Sequence, residues 1–474
     1  MLTTKTIFGA GWTVSSRLAG RAIDFVTVLV LARALTPADF GLTAIASSLV
    51  FVMDAVFEVP LILALTRLRD VTKSHLDTAF TLGLARAVGL SSIVLAAAWP
   101  FAYIYSDNRL FPLVAVLVIG PTARSLYSPA MVNYVREMSF RQNFAAELLG
   151  RLISSVLAIS VAYFGGGYWA IAIGSLSSNV ATTIISYIIA PYRPNLSWSR
   201  LSDFSSFLGW LSLAQVFVAV SWQFDRILLG YFIPKSDLGQ YTMASDVAVL
   251  PTQSMIGPAM QPLIAAFSQI NDDRERLRTA YLKASRFTMM LAAPTCIGMS
   301  LTADLIVKVL LGAKWTEAGI YLQWLALSVV LNAFYQPLHA LALATNRTNL
   351  IFRLTFLEAC FRIVLVLAGL YLYSLPGVIV ARLAMSLIMF VASLIAAQYL
   401  IGARVASELI GLWKVAAACA AMAVLVMMMR HELYGRDLNA VVELVLTAAL
   451  GVVVYLGTLS ALGVRLEGRR EAAG

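Results

Sequence analysis

Three charged residues stand on one face of an apolar segment near the start of the chain: Arg17, Arg21 and Asp24, at i, i+4 and i+7. Asp54 and Glu58 repeat the i, i+4 spacing in the next apolar segment. A charge in hydrocarbon costs on the order of 2.5–3.5 kcal/mol on insertion scales, so such residues are functional candidates by default. Two readings of the five stay open. In the first they are structural salt bridges, Arg21 with Asp54 and Arg17 with Glu58; a rising helix beside a descending one, at about 1.5 Å per residue, puts these pairs at matching levels. In the second they line a cavity that binds an anion or exchanges a proton or Na+.

Arg86, Arg124, Arg226 and Arg382 also fall inside apolar segments. Arg86 and Arg124 have no acid three or four residues away to pair with, and guanidinium is the side chain suited to bidentate phosphate contact. The candidate cationic set is therefore Arg17, Arg21, Arg86, Arg124 and Arg226. Arg151 and Arg362 differ, because each follows an acid by four residues. Glu147–Arg151 and Glu358–Arg362 read as structural pairs. Asp24, Asp54, Glu58, Asp225 and Asp246 remain as ion-coupling groups or salt-bridge partners. Asp225 and Arg226 point about 100° apart on a helix and need not pair. His339, two residues after Pro337, reads as a polar wall residue, with a pH-sensing role as the alternative. Cys296, Cys360 and Cys419 sit in apolar runs as small hydrophobes, and no metal-ligand spacing, paired-carboxylate site or His cluster appears. No catalytic residue is assigned, and an enzyme is not expected.

The elements that must position these groups follow from composition. Of 474 residues, 60% are hydrophobic and 13% charged, with mean hydropathy +0.82. A soluble domain is nearer a quarter charged. The net charge of +10 does not indicate nucleic acid, because the basic residues occupy short gaps between apolar segments. About fourteen segments are long enough to span a bilayer, among them 10–34, 40–65, 77–102, 110–135, 142–164, 350–373 and 376–400. The first is too long for a signal peptide and lacks a cleavage pattern. About nineteen loop Lys and Arg fall on one side against about seven on the other, which places both termini in the cytoplasm. "DLIVKVLLGAKW" (Asp304–Trp315) is too short and charged to span and reads as interfacial. Gly165-Gly166-Gly167 reads as a tight turn.

The chain repeats itself. Gly11-Trp12 recurs as Gly209-Trp210, and the same offset relates Asp39 to Asp237, Gly41 to Gly239, and Ala46-Ser47 to Ala244-Ser245. Further on, Tyr127-Ser128-Pro129 is echoed by Tyr335-Gln336-Pro337, and Glu147…Arg151 by Glu358…Arg362. Each Tyr-x-Pro should kink its helix, since Pro removes a backbone hydrogen bond. The fold class expected is all-α integral membrane: two pseudo-symmetric six-helix lobes, residues 1–200 and 201–403, with two further helices in 404–474. Parallel repeats of this kind bind substrate between the halves. In the second copy Arg17, Arg21 and Asp24 become Gln215, Ala219 and Trp222, so the charged face belongs to the first half alone and leans toward substrate.

"LARALTPADFGLTAIASSL" (Leu31–Leu49), its echo "LLGYFIPKSDLGQYTMASDV" (Leu228–Val247) and "VLLGAKWTEAG" (Val309–Gly319) resemble the polysaccharide transporter family, the Wzx-type oligosaccharide flippases of the MOP superfamily, over residues 5–405. That resemblance implies a secondary transporter in the cell inner membrane. It would move undecaprenyl-pyrophosphate-linked oligosaccharide units for exopolysaccharide, capsule or O-antigen synthesis by alternating access, with an Arg-lined cavity. Its partners would be the lipid-linked oligosaccharide, membrane lipid and the polysaccharide polymerase machinery. No cofactor is implied, and no ATP-binding motif is present; coupling to H+ or Na+, or downstream consumption of product, would supply the energy. A MATE-like exporter of small molecules is the alternative, disfavoured by the Arg excess. A membrane-embedded polymerase is less favoured still, because no large external loop carries catalytic groups.

Overall fold

The computed structural model describes residues 19–463, apart from 60, 69, 138, 206–209, 403–404 and 434–437. Arg17 and Arg404 lie outside the described residues. Among the described residues every regular element is helical, and eight helices are long and apolar enough to cross a membrane, or up to ten if each bent pair is one span. The chain is a multi-pass helical membrane protein. It divides into two compact units, Met1–Thr242 and Met243–Gly474.

In the first unit, α1 (19–34) leads into α2 (Pro37–Val56) through a capping box: Asp39 N–H donates to Thr36 Oγ1 at 3.3 Å and Thr36 N–H donates back to Asp39 Oδ2 at 2.9 Å, with Pro37 in the first turn. The repeated Asp39 is thus a helix-start residue. Then come α3 (Leu61–Arg67), α4 (Lys73–Ile104), α5 (Leu110–Leu117), α6 (Ile119–Ser125), α7 (Val132–Arg136), α8 (Arg141–Tyr163), α9 (Trp169–Ile189), α10 (Leu201–Ser205) and α11 (Trp210–Phe232), with the start of α12 (Lys235–Pro251). The helical stretches Leu110–Ser125 and Pro129–Arg136 meet at a 52° bend around Tyr127–Pro129. The backbone freed there is taken up by α9: Ser128 N–H donates to Ser186 Oγ at 3.0 Å, and Ser128 Oγ–H to the Ala190 carbonyl at 3.0 Å. The α8–α9 turn holds Gly165 and Gly167 at φ of 78° and 53°.

The repeat-based boundary at 200 and the compact-unit boundary after Thr242 differ, and packing gives the reason. The two copies of the repeated motif meet each other. A Cβ on Gly41 would collide with the Lys235 carbonyl oxygen, and one on Gly239 with the Pro37 carbonyl oxygen. Pro37 stands to Gly41 as Lys235 stands to Gly239, so the contact is reciprocal. Nearby, the Tyr105 hydroxyl donates to the Ile227 carbonyl at 2.6 Å, and Lys235 and Arg109 both bind Asp107. Burial raises the Asp107 carboxyl, but the hydrogen bonds from Arg109 and Lys235 outweigh it and hold the group well below the usual carboxylate range. These contacts tie the start of α12 to α2, and both α11 and the start of α12 to the α4–α5 turn.

The second unit holds the rest of α12, a π-turn at Thr252–Ile256, α13 (Gly257–Gln269), α14 (Arg274–Leu301), α15 (Ala303–Leu310), α16 (Thr316–Ala333), α17 (Tyr335–Ala344), α18 (Thr348–Ile401), α19 (Val405–Leu433) and α20 (Ala440–Ala461). The axis of α15 is bent 76° from α14, so the interfacial-looking segment does not continue that span. The second Tyr-x-Pro marks only a one-residue break between α16 and α17. The 54-residue α18 is a hairpin: Tyr373 and Ser374 leave helical geometry, and the backbones of Gly369 and Gly377 touch across the reversal. Its two arms match the segments 350–373 and 376–400.

Candidate functional site

A cavity of about 630 Å³ opens within the first unit. Its charged lining is Arg86 on α4, Arg124 on α6, Arg151 and Glu147 on α8, and Glu58 just past α2. Gly83 brings two of these groups to one level. A Cβ there would collide with the Ser125 carbonyl, so α4 and α6 cross at backbone contact, with Arg86 and Arg124 about one turn from the crossing and beside it.

The charges are wired differently from the local spacing in the sequence. Arg86 Nη2 donates to Asp54 Oδ1 and to Glu58 Oε2, each at 2.6 Å. The Arg86 side chain is 9% exposed. The i, i+4 acids of the second span thus clasp a cation on the third, a partner that neither sequence reading of these acids assigns to them. Arg21 is exposed on α1. Arg151 forms an ion pair with Asp24 of α1 rather than with Glu147, four residues before it on its own helix. Gly20 makes the room, because a Cβ there would lie 3.1 Å from Arg151 Nε.

What remains is an uneven balance. Arg86 is matched by two carboxylates and Arg151 by one. Among the described residues, Arg124 and Glu147 are in no hydrogen bond or ion pair, and both are exposed to the cavity. The site therefore presents one open cation and one open anion. Around them sit neutral hydrogen-bonding groups: Tyr127, Asn143, Ser178, Asn179, Thr182 and Thr183. Asn143 Oδ1 is buried without a partner. The sequence reading missed these residues. The signal was present as "SLSSNVATT" (Ser175–Thr183), a polar run inside a segment long enough to span.

The other sequence candidates lie elsewhere. Arg226 and Asp225 are on α11, off the cavity lining; Asp225 is 2% exposed and accepts from the Tyr241 hydroxyl at 3.1 Å. Asp246 is exposed on α12 in the second unit. Arg362 Nη2 donates to Glu358 Oε1 at 2.8 Å within α18. His339 rests against Tyr335 with ring centroids 5.8 Å apart. Among the described residues no group of His, Cys, Asp and Glu is placed to hold a metal.

Residues 30–320 match the family described as polysaccharide biosynthesis protein. The succinoglycan biosynthesis transport protein ExoT of Rhizobium meliloti is 26% identical over 67% of this chain. The match spans 65% of that relative, just under two thirds of its length. The lipopolysaccharide biosynthesis protein WzxC of Escherichia coli is 23% identical over 87% of this chain and 85% of its own. Among solved structures, the lipid II flippase MurJ in an inward closed conformation superposes with a TM-score of 0.74 at 13% identity, covering 96% of this chain and 98% of its own. An inward-facing multidrug resistance MATE transporter of the MOP superfamily gives 0.61 at 16% identity, over 82% and 95%. At these identities the structural likeness speaks for the fold.

Proposed function

Because the chain belongs to the polysaccharide biosynthesis protein family, we propose that it carries a lipid-linked oligosaccharide across the inner membrane as a secondary transporter, with undecaprenyl pyrophosphate as the carrier. The observation that carries this reading is Arg124, a guanidinium open to a polar cavity inside an apolar helix bundle, in no hydrogen bond or ion pair among the described residues; the acid within its electrostatic reach, Asp54, is already held by Arg86. A phosphate about 4 Å from it gains roughly 4 kcal/mol at an effective dielectric near 20. The amide and hydroxyl groups of α8 and α9 suit sugar hydroxyls, which both donate and accept. Arg86, clasped by Asp54 and Glu58, holds the wall while Arg124 meets the load. Access alternates between the two faces of the membrane. Both termini are cytoplasmic, and the product passes to the polymerase machinery.

A second reading has one observation in its favour: Glu147 is as open as Arg124. Export of a small organic cation would use that carboxylate. One experiment separates the two readings. In a flippase-null strain, Arg124→Ala should lower surface polysaccharide about tenfold to a hundredfold at normal protein level, the loss of one charge-assisted contact worth about 1.5–3 kcal/mol. Glu147→Gln should lower it far less than Arg124→Ala does. The reverse pattern overturns the lipid-linked sugar in favour of the cation.

A further inference from the structure

The second unit buries a carboxyl that the cavity does not use. Glu408, in the first turn of α19, is 3% exposed, and neither of its oxygens has a hydrogen-bond partner. On the facing helix α14, Tyr281 is fully buried and Ser285 nearly so, one turn apart. Neither hydroxyl has a hydrogen-bond partner beyond this Tyr281–Ser285 pair, and the Tyr281 phenol lies within electrostatic reach of the Glu408 carboxyl. Leu277, Ala397 and Ile401 share the apolar core around Tyr281.

An ionised carboxylate removed from water with no counter-charge is too costly to persist; such a group takes up a proton instead. Two cations on the neighbouring turns do not bond it in this arrangement. Lys414, further along α19, donates to the Leu462 carbonyl at 2.7 Å. Arg286, next to Ser285 on α14, crosses Gly411, one turn past Glu408: a Cβ on Gly411 would lie 2.7 Å from Arg286 Nη2. Among the described residues Arg286 is in no hydrogen bond or ion pair, and it is exposed. Arg404, one turn earlier in sequence, is outside the described residues.

We propose that Glu408 is a proton-binding site, loaded when its carboxyl is buried beside Tyr281 and Ser285 and unloaded when it turns to Arg286, and that this exchange couples transport to the proton gradient. The coupling rests on the transport reading above; the proton site does not. Unloading breaks the carboxyl O–H bond. The electron pair stays on the carboxylate, which gains Arg286 as partner, and the proton passes to water.

The test is infrared difference spectroscopy on the full chain in lipid nanodiscs, titrated with pH. Wild type should show a protonated-carboxyl band at neutral pH that bleaches on alkalinisation. Glu408→Gln, which mimics the protonated form and should fold, should lack that band; Glu408→Asp should keep one at a shifted position. Arg286→Gln should move the bleaching to higher pH, because the carboxylate loses its partner. A wild-type minus Glu408→Gln spectrum with no protonated carboxyl at neutral pH overturns the site. If the band is present but the Glu408→Gln variant flips its load with wild-type dependence on the proton gradient, coupling through Glu408 is overturned and the transport reading stands. If wild type itself fails to restore surface polysaccharide in the null strain, the transport reading falls while the spectrum is unaffected.

Discussion

The repeat carries the same acid and base on α8 and α18, and the two copies use them in opposite ways. On α18, Arg362 bonds Glu358 one turn away at 2.8 Å, and the charges cancel within the helix. On α8, Arg151 turns from Glu147 to Asp24 on α1, which leaves Glu147 open in a cavity. The difference traces to a single partner. Asp24 corresponds to Trp222 in the second copy, so no acid stands at the matching place on α11. A duplicated local pair serves as half of a site where a neighbouring helix carries a competing carboxylate.

The sharpest way to break this contrast is to remove the cation that neutralises the wall. Arg86→Ala leaves Asp54 and Glu58 without their shared partner. Removing one member of a largely buried ion pair costs about 3–5 kcal/mol, and Glu58 is half-exposed, so the lower end applies. Folded yield and thermal stability in detergent should fall sharply, and Arg86→Lys should recover part of the loss. Unchanged stability would mean that Arg86 is not what holds the two acids.

Asp24→Asn tests the comparison directly. It should return Arg151 to Glu147 and make α8 resemble α18. The Asp24 and Arg151 side chains are 53% and 35% exposed, so the stability change should stay within about 1 kcal/mol. Transport should change more than stability, because the open anion of the cavity is quenched. Glu147→Gln added to Asp24→Asn should then have little further effect on transport, a non-additivity readable in a double-mutant cycle. Additive effects would show that Arg151 does not move between the two acids.

Much of the scaffold was legible because it depends on order along the chain. The gap between the segments 350–373 and 376–400 is where α18 reverses at Tyr373 and Ser374, since two apolar runs joined by a short break can only double back across a membrane. The repeated Gly41 and Gly239 were visible as a motif. Their meeting was not, because sequence gives the offset of a repeat and not whether its copies touch. The site was legible only in its residue types. Arg86, Arg124, Arg151, Glu58 and Glu147 were all singled out and all line one cavity. Their pairings were set by helix packing at Gly83 and Gly20, which i, i+4 spacing cannot report. Glu408 escaped notice because a lone acid near the start of a span reads as an interfacial charge; only its burial without a partner marks it out.

The smallest expected effect belongs to the quiet half of the comparison. Glu358→Gln removes an i, i+4 pair in which the Arg362 side chain is 12% exposed and Glu358 31%. Pairs of this spacing contribute about 0.3–0.5 kcal/mol on helix surfaces, and partial burial raises the figure only modestly, because Gln still accepts a hydrogen bond from Arg362. Thermal stability should drop slightly, and transport in the null strain should match wild type. That outcome is the control that gives Asp24→Asn its meaning. If Glu358→Gln impaired transport as strongly as Asp24→Asn, the two copies of the pair would share one role, and the asymmetry attributed to Asp24 would have to be sought elsewhere in the repeat.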